Sequence, residues 1–495
     1  MILLISNIVS SNIKMIQEHL GNPIDLTVRE LTIKIQNQKI EASLVYLSGI
    51  VNEEEIERCL IKPIQQCHVH HFGKDFIQVL QKEMIGVKSV LLTQSFHEVI
   101  KGILKGHTVF ILDGEKTVLL ANTAKWKERA VASPEGQRVA KGPMIGFNEH
   151  LETNISFIRK VLKSEMLRFE KYTLGTMTNT DICLVYMNNT VDHQVLQELK
   201  QRIEKLHLIE VLEANYLEES ISSDFITPFP LILNTDRPDV VTASIIEGRI
   251  AILVEGTPYS LIVPALFLQF LKSPDDYYIK GYGVLSMPLR FIASCLSIYI
   301  PAFYISFINF HPGLIPVELL LNLASQREDK PLPLVIELLL FTFLFQMIVE
   351  SSMRLPKALA FVVSILGAII IGQSAVEAGI VQPATLLIVS ISHILGFVTP
   401  FITFGATIRT LRYLFILIAS FLGLYGIILA TLLLLFHLNH IRSFGIPYLA
   451  SISPFNLYNQ KENFFKFPLG KTINNPSRLQ HEELVDKEKR GGRKR

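Results

Sequence analysis

The sequence predicts a duplicated α/β soluble N-terminal head followed by a polytopic α-helical membrane domain. Charge gives the first indication: residues 1–285 carry 63 Asp, Glu, Lys and Arg side chains, whereas the 153 residues 286–438 carry 13. The second is the length of the apolar runs in the charge-poor part. Several approach the roughly 20 helical residues needed to cross a hydrocarbon core about 30 Å thick. The third is a weak internal repeat in the charged part, with an offset of 140 to 142 residues.

The repeat sets the order of the head. Ser43-Leu44-Val45-Tyr46, followed by an acid-rich helix over 52–60, matches Cys183-Leu184-Val185-Tyr186 followed by a helix over 192–203. Residues 99–106, 108–115 and 117–120 align in the same way with 241–248, 250–257 and 259–262. Asp113-Gly114 and Glu255-Gly256 each stand between two apolar, β-rich runs. Such a pair marks a hairpin, because glycine supplies the positive φ that a tight turn demands. Two copies of a βαβ-type unit plus hairpin follow, over 1–141 and 142–285, with 142–154 joining them and leading into a helix over 149–163. Glu255, with Gly256 and Pro258, excludes a membrane span over 250–271, since an unpaired buried carboxylate is costly. A short helix over 264–271 then couples head to membrane. Ser273-Pro274-Asp275-Asp276-Tyr277-Tyr278 forms a turn with tyrosines at headgroup level.

In the membrane domain, 286–450, five spans are expected over 289–310, 332–349, 358–374, 384–404 and 413–438. The segment 316–324 is apolar but short, carries Glu318 and follows Pro312, Gly313 and Pro316, so it reads as a re-entrant or interfacial helix. Arg354, Lys357, Arg409 and Arg412 fall on the head's side, and 375–382, without Lys or Arg, on the other. That arrangement obeys the positive-inside rule for a cytosolic head. Five crossings also send the basic tail to the far side, against the same rule, so either 316–324 crosses or the tail lies outside.

Ionisable groups at bilayer depth cost about 2.5–3.5 kcal/mol and therefore face protein or water. Here they are Glu318, Glu337, Glu350, Arg354, Glu377, His393, Arg409 and Arg412. Glu350 and Arg354 lie four apart, on one helical face, and form a candidate pair. Arg354, Arg409 and Arg412 fit snorkelling anchors at helix ends. Glu337 and His393, deeper in their spans, fit either an ion path or a polar tie between helices. Glu377 follows Gly372-Gln373-Ser374, small and polar residues with which a helix lines water.

Other chemistry is excluded. The four cysteines, Cys59, Cys67, Cys183 and Cys295, are spread too widely for a disulfide framework and fit a reducing compartment. Met1-Ile2-Leu3-Leu4-Ile5 lacks the basic region of a signal peptide. Residues 461–495 carry ten Lys/Arg against five Asp/Glu, within a disordered basic tail expected over 451–495 and suited to anionic lipid headgroups or plain solvation. Gly470-Lys471-Thr472 resembles the end of a phosphate-binding loop, but Phe465 stands where that loop has its first glycine. Cys67-His68-Val69-His70-His71 matches no standard metal spacing. No enzyme motif, cofactor site or metal site is expected. Basic residues without interleaved aromatics give no nucleic-acid surface.

Several motifs resemble a known family. Pro228-Phe229-Pro230, Arg237-Pro238-Asp239-Val240-Val241, the run 247–258, Val263-Pro264-Ala265 and Phe310-His311-Pro312 are similar to the signature of the A subunit of spore germinant receptors, the GerA family. So are Ile315-Pro316-Val317-Glu318-Leu319-Leu320, the run 372–379 and the run 442–450. Lys141-Gly142-Pro143 with Gly146-Phe147-Asn148-Glu149 resembles the family's block between subdomains, although Met144 and Ile145 replace charged residues usual there. The likeness covers roughly 25–455 and is strongest over 225–450.

The resemblance implies a subunit of a nutrient receptor in the inner membrane of a bacterial endospore, its head in the spore core. It implies a transporter-like B subunit that binds the nutrient and a lipoprotein C subunit as partners. It also implies a homo-oligomeric ring, a pentamer, forming a nutrient-gated cation channel. On that reading Gly367, Gly372, Gln373 and Ser374 allow close helix approach and wetting, Ile371 shares their segment, and Glu377 attracts cations at the outer mouth. The competing expectation is a non-conducting scaffold that transmits nutrient binding. A secondary transporter fits less well, since transporters carry their internal repeat in the membrane half.

Overall fold

Each half of the head folds as a five-stranded antiparallel sheet, and the two sheets share one strand order. The computed structural model describes residues 4–35, 38–66, 81, 87, 89–125, 133–134, 136–222, 226–279, 282–328, 330–356, 359–360, 362, 365, 367, 369–450 and 452. The Cys67–His71 run, the Gly470-Lys471-Thr472 motif and the expected tail beyond 452 lie outside the described residues. The first half contains α1 (Val9–Leu20), β1 (Leu26–Ile35), β2 (Gln38–Leu47), β3 (Val90–Thr93), α2 (Phe96–Leu104), β4 (His107–Leu112) and β5 (Val118–Asn122). The second contains α3 (Leu151–Val161), β6 (Leu167–Leu174), β7 (Thr180–Met187), α4 (His193–Glu204), α5 (Ala214–Ile221), β8 (Leu233–Thr235), α6 (Pro238–Ile246), β9 (Ile250–Val254) and β10 (Ser260–Val263). Strand order is β1-β2-β4-β5-β3 in one and β6-β7-β9-β10-β8 in the other.

The duplication predicted from sequence is therefore present, and it reaches individual hydrogen bonds. Gly114, at φ +86°, donates its N–H to the Asn7 carbonyl at 2.8 Å; Gly256, at φ +87°, donates to the Glu149 carbonyl at 2.8 Å. In each copy the acid before that glycine meets the N-terminus of the first helix. Asp113 accepts from the Val9 N–H (3.2 Å) and Glu255 from the Leu151 N–H (2.6 Å), where unpaired helix donors favour negative charge. Buried Asn12 and Asn154 make the same pair of bonds to the backbone six residues earlier, at Ser6 and Asn148.

One detail departs from expectation. All neighbouring strands are antiparallel. The strands joined by a helix and pointing the same way are β3 and β4, around α2, with β5 inserted between them. The unit is thus a split βαβ, in which the short strand β3 has no strong sequence signal of its own.

The second sheet is covered on both faces, which explains its continuous apolar runs. Ile182, Leu184, Ile250 and Ile252 pack on one side with α4 and α5. Cys183, Val185, Ala251 and Leu253 belong to a cluster that continues without a break into the membrane domain.

That domain contains α7 (Tyr282–Asn309), α8 (Val317–Arg327), α9 (Leu334–Arg354), α10 (Pro383–Gly396) and α11 (Ile402–His440). Of these, α7, α9 and α11 are long and apolar enough to cross a membrane. In place of one helix over 413–438, α11 is two arms, 402–422 and 424–440, meeting at Gly423 (φ +59°, ψ −141°). At about 1.5 Å per residue the arms measure roughly 31 and 26 Å, so each suffices for one leg. Tyr299 of α7 touches both: its ring lies edge-on to Phe415 at 5.1 Å and its hydroxyl meets Thr431 at 2.9 Å. Gly423 sits beside Phe310, at the end of α7 away from the head. The expected span 384–404 likewise ends at Gly396, and Phe401 already packs on the head.

Both arms of α11 reach the head. Near the start of the first, the Thr407 hydroxyl donates to the Pro228 carbonyl; near the end of the second, His437 meets the Thr227 hydroxyl at 3.0 Å. A small hairpin, β11 (Arg442–Ser443) and β12 (Ile446–Pro447), then places Phe444 and Ile446 in the core of the second sheet. The turn at Gly423 brings the chain over 441–450 back to the head's side, while much of the expected span 358–374 lies outside the described residues.

Candidate functional site

The junction between head and bundle is built first from aromatic rings. The short helix expected over 264–271 is a 3₁₀ turn, Phe267–Leu271. Phe270 stacks on Phe404 (5.6 Å, 13°) and meets Phe401 edge-on at 5.7 Å. Tyr448, fully buried, lies 6.0–6.4 Å from Phe229, Phe267 and Phe270. Ionic ties surround this cluster. Asp276 accepts from Arg290 (2.7 Å) and from the Ser286 hydroxyl (2.8 Å), joining the Ser273–Tyr278 turn to α7. Arg237, fully buried, is held by Asp239 and by the carbonyls of Gln137 and Pro143. The Tyr278 hydroxyl donates to Asp239 at 2.6 Å. Burial and this carboxylate push the Tyr278 phenol well above its usual range. The family-like Arg237-Pro238-Asp239 motif thus ties α6 to the 137–143 segment and to the Ser273–Tyr278 turn, and Asp276 of that turn makes the link to α7.

The sequence-predicted site residues fall into three places. Gly367, Gly372, Gln373, Ser374 and Glu377 lie on the segment between α9 and α10, and the chain over Ile370–Ser374 is a π turn. Such turns add one residue to a helical turn and are frequent at functional positions. Gln373, Ser374 and Glu377 are exposed, and Gln373 Nε2 donates to Glu377 Oε1 at 2.9 Å. The Ile371 side chain lies outside the described residues. Gly367 faces α9, where a Cβ would stand 3.2 Å from Ile348 Cδ1, and Gly372 faces Leu386 of α10.

Glu337 and His393 are interior. Glu337, fully buried, accepts the Gln382 N–H at 2.5 Å and so caps α10 from the start of α9. The His393 ring lies 5.5 Å from Phe345, and its Nδ1 contacts the carbonyl of Val389 at 2.9 Å. His393 and Arg409 both line a cavity of about 480 Å³ enclosed by α9, α10 and the first arm of α11. Glu318, on α8, and the Glu350–Arg354 pair (2.8 Å) are on the surface, apart from both groups.

Arg412 is not a snorkelling anchor. It is 1% exposed and donates to the Ser297 carbonyl (3.1 Å), the Ser297 hydroxyl (2.5 Å) and the Ser392 carbonyl (2.9 Å). Gly396 leaves the room for it, since a Cβ there would stand 2.8 Å from the guanidinium. One cation thereby fastens α7, α10 and α11 together. Its sequence signal was weak: the serines that receive it sit 115 and 20 residues away.

Fold and junction together define a membrane protein in which a duplicated α/β head is fastened to a helical bundle. The model of the Bacillus/Clostridium GerA spore germination protein family matches residues 14–478. The chain belongs to that family. Spore germination protein KA of Bacillus subtilis (strain 168) is 36% identical over 485 residues, 97% of this chain and 88% of that one. Spore germination protein GerLA of Bacillus cereus is 33% identical over 468 residues, 94% of each. The crystal structure of the N-terminal domain of the A subunit of the Bacillus megaterium spore germinant receptor GerK3 aligns with 55% of this chain and 100% of that one, at 29% identity and a TM-score of 0.44.

Proposed function

We propose that this chain is the A subunit of a nutrient germinant receptor, and that copies of it assemble into a ring around a nutrient-gated cation pathway. In this reading 1–141 and 142–285 are the two subdomains of a head on the spore-core side of the inner membrane. Residues 286–450 form the membrane domain, and 451–495 a basic tail. A transporter-like B subunit binds the nutrient and a lipoprotein C subunit completes the receptor. Five is the expected copy number.

The observation that carries the proposal is the outward-facing polar edge Gln373-Ser374-Glu377 on an otherwise apolar segment. Polar and ionised groups facing hydrocarbon are costly, so such an edge calls for water or neighbouring protein. A ring of copies that turns this edge inward supplies a wet lumen with a carboxylate from each copy at its mouth. The π turn opens the helix where Gln373 and Ser374 face out. α8, with no buried residue and with Val317 70% and Leu321 65% exposed, adds surface for lipid or a neighbouring copy.

Neutralising the mouth tests this directly. In spores carrying Glu377→Gln, nutrient-triggered potassium release is expected to slow severalfold at unchanged protein level. Release at the parental rate would move the pathway away from this segment.

A further inference from the structure

We propose that the cavity between α9, α10 and the first arm of α11 holds one acyl chain of an anionic phospholipid, with the lipid's phosphate on Arg409. The cavity measures about 480 Å³, inside the roughly 300–1,000 Å³ range of ligand pockets. Three helix faces converge on it. α9 supplies Phe345, Ile348, Val349 and Met353, and α10 supplies Ile394 and Phe397, at the three- and four-residue spacing of one helical face. Ile402, Gly405 and Arg409 of α11 close it with the same spacing.

Arg409 is half-buried in this lining, and its guanidinium has no hydrogen bond or ion pair among the described residues. The other polar side chains of the cavity are spent on backbone. Ser352 donates to the Val349 carbonyl at 2.7 Å, Ser390 to Leu386 at 2.8 Å and Thr399 to Gly396 at 3.2 Å, and His393 Nδ1 meets the Val389 carbonyl at 2.9 Å. The acid that acts on Arg409 across space is Glu350, already engaged by Arg354 at 2.8 Å. Arg412 is a second cation beside Arg409, tied to uncharged groups of Ser297 and Ser392. Three guanidinium groups thus stand against one carboxylate, and the surplus charge is positive.

A guanidinium without an acceptor is costly beside hydrocarbon. Phosphate suits it, because the planar fork gives two parallel bonds to one anion. The apolar remainder of the cavity suits a hydrocarbon chain and not a free, hydrated anion. Met353, Ile394, Phe397 and Ile402 are each more than half exposed, so the cavity opens sideways and a chain enters it from the bilayer. The charge lies at the right level. Thr407, two residues before Arg409, donates to the Pro228 carbonyl of the head. A Cβ at Gly405 would stand 3.5 Å from Arg409 Nη1, so the guanidinium folds back toward that end of the helix. The phosphate then sits where head and bundle meet, and the chain fills the space between α9 and α11. This inference is independent of the conduction pathway.

The test uses the full chain in neutral detergent, with phosphatidylglycerol or phosphatidylcholine added and the retained lipid counted by native mass spectrometry. Phosphatidylglycerol is expected to stay on the protein and to bind roughly tenfold tighter than phosphatidylcholine, the effect of one charge-assisted pair. Arg409→Gln should abolish that preference, and Arg409→Lys should keep most of it. Val349→Trp fills the cavity and leaves the cation in place; it should lose the lipid altogether. Equal retention of the two lipids by the parent overturns the proposal, as does undiminished preference in Arg409→Gln or in Val349→Trp. A parent that retains no lipid, and whose oligomeric mass falls with Arg409→Gln, assigns the cavity to a neighbouring copy and overturns it too. Should Arg409→Gln fail to fold, the contrast between Arg409→Lys and Val349→Trp decides alone.

Discussion

Asp25 and Arg159 meet across the boundary between the two halves of the head, 5% and 2% exposed, with nitrogen–oxygen distances of 2.9 and 3.0 Å. Arg159 also stacks over Phe169 at 4.4 Å. Removing one partner of such a pair leaves a bare buried charge, which typically costs about 3–5 kcal/mol. Asp25→Ala is therefore expected to lower the thermal midpoint of the purified protein sharply, and the double change to Asp25→Leu, Arg159→Leu to restore much of the loss. Glu218 offers a pH-dependent case. Burial, opposed by an Asn234 hydrogen bond and reinforced by Glu213 and Glu219, pushes its carboxyl up to about 7. A folded value above the unfolded one means that stability is full below about pH 4.5 and declines as pH rises through 7. Glu218→Gln removes that decline: it should match the parent at pH 4.5 and exceed it at pH 8 by at most about 3 kcal/mol, at 1.36 kcal/mol per unit. Equal pH profiles for the two proteins would refute the assignment. Single residues were legible where their constraint is local. Glu255 was placed correctly in a turn because Gly256 follows it, but Asp25 and Arg159 carry no mark of meeting, being 134 residues apart.

Among elements, the decisive one is the break in α11. Gly423 adopts a conformation that side-chain-bearing residues avoid, at a cost of about 1–3 kcal/mol, and a Cβ there would stand 2.9 Å from Phe310 Cγ. Gly423→Ala should lower the midpoint of the detergent-solubilised protein by several degrees, and adding Phe310→Ala should recover only the steric part. Full recovery in the double variant would mean that the backbone at 423 is unstrained. The hairpin was hidden in the sequence because a 26-residue apolar run satisfies one long span as well as about half of one leg and most of the next. Hydropathy reports that a segment lies in lipid, not where it turns. The tight turns of the head were readable for the opposite reason: Asp113-Gly114 and Glu255-Gly256 interrupt apolar runs with residues that only a turn accommodates. The repeat extends further than its visible strings. Asn12 and Asn154 perform one role at an offset of 142, while the backbone they hold belongs to unlike residues, Ser6 and Asn148.

At the scale of the molecule, one apolar cluster runs from the second sheet into the bundle, and each arm of α11 is anchored to the head. Motion of the head therefore reaches the helices without passing through a flexible linker. The fold class was readable because it rests on charge density and on repetition. The junction was readable in part: the turn at Ser273–Tyr278 and the coupling segment before it stood out, while the return of β11 and β12 to the head did not, since sheet pairing at a distance leaves no local trace. Whether the proposed ring forms and conducts is settled by planar-bilayer recording from the purified, reconstituted chain, with its oligomeric mass measured in parallel. The account predicts a cation-selective conductance whose selectivity falls with Glu377→Gln. Electrically silent bilayers containing assembled rings would contradict it and favour a scaffold that only relays the nutrient signal.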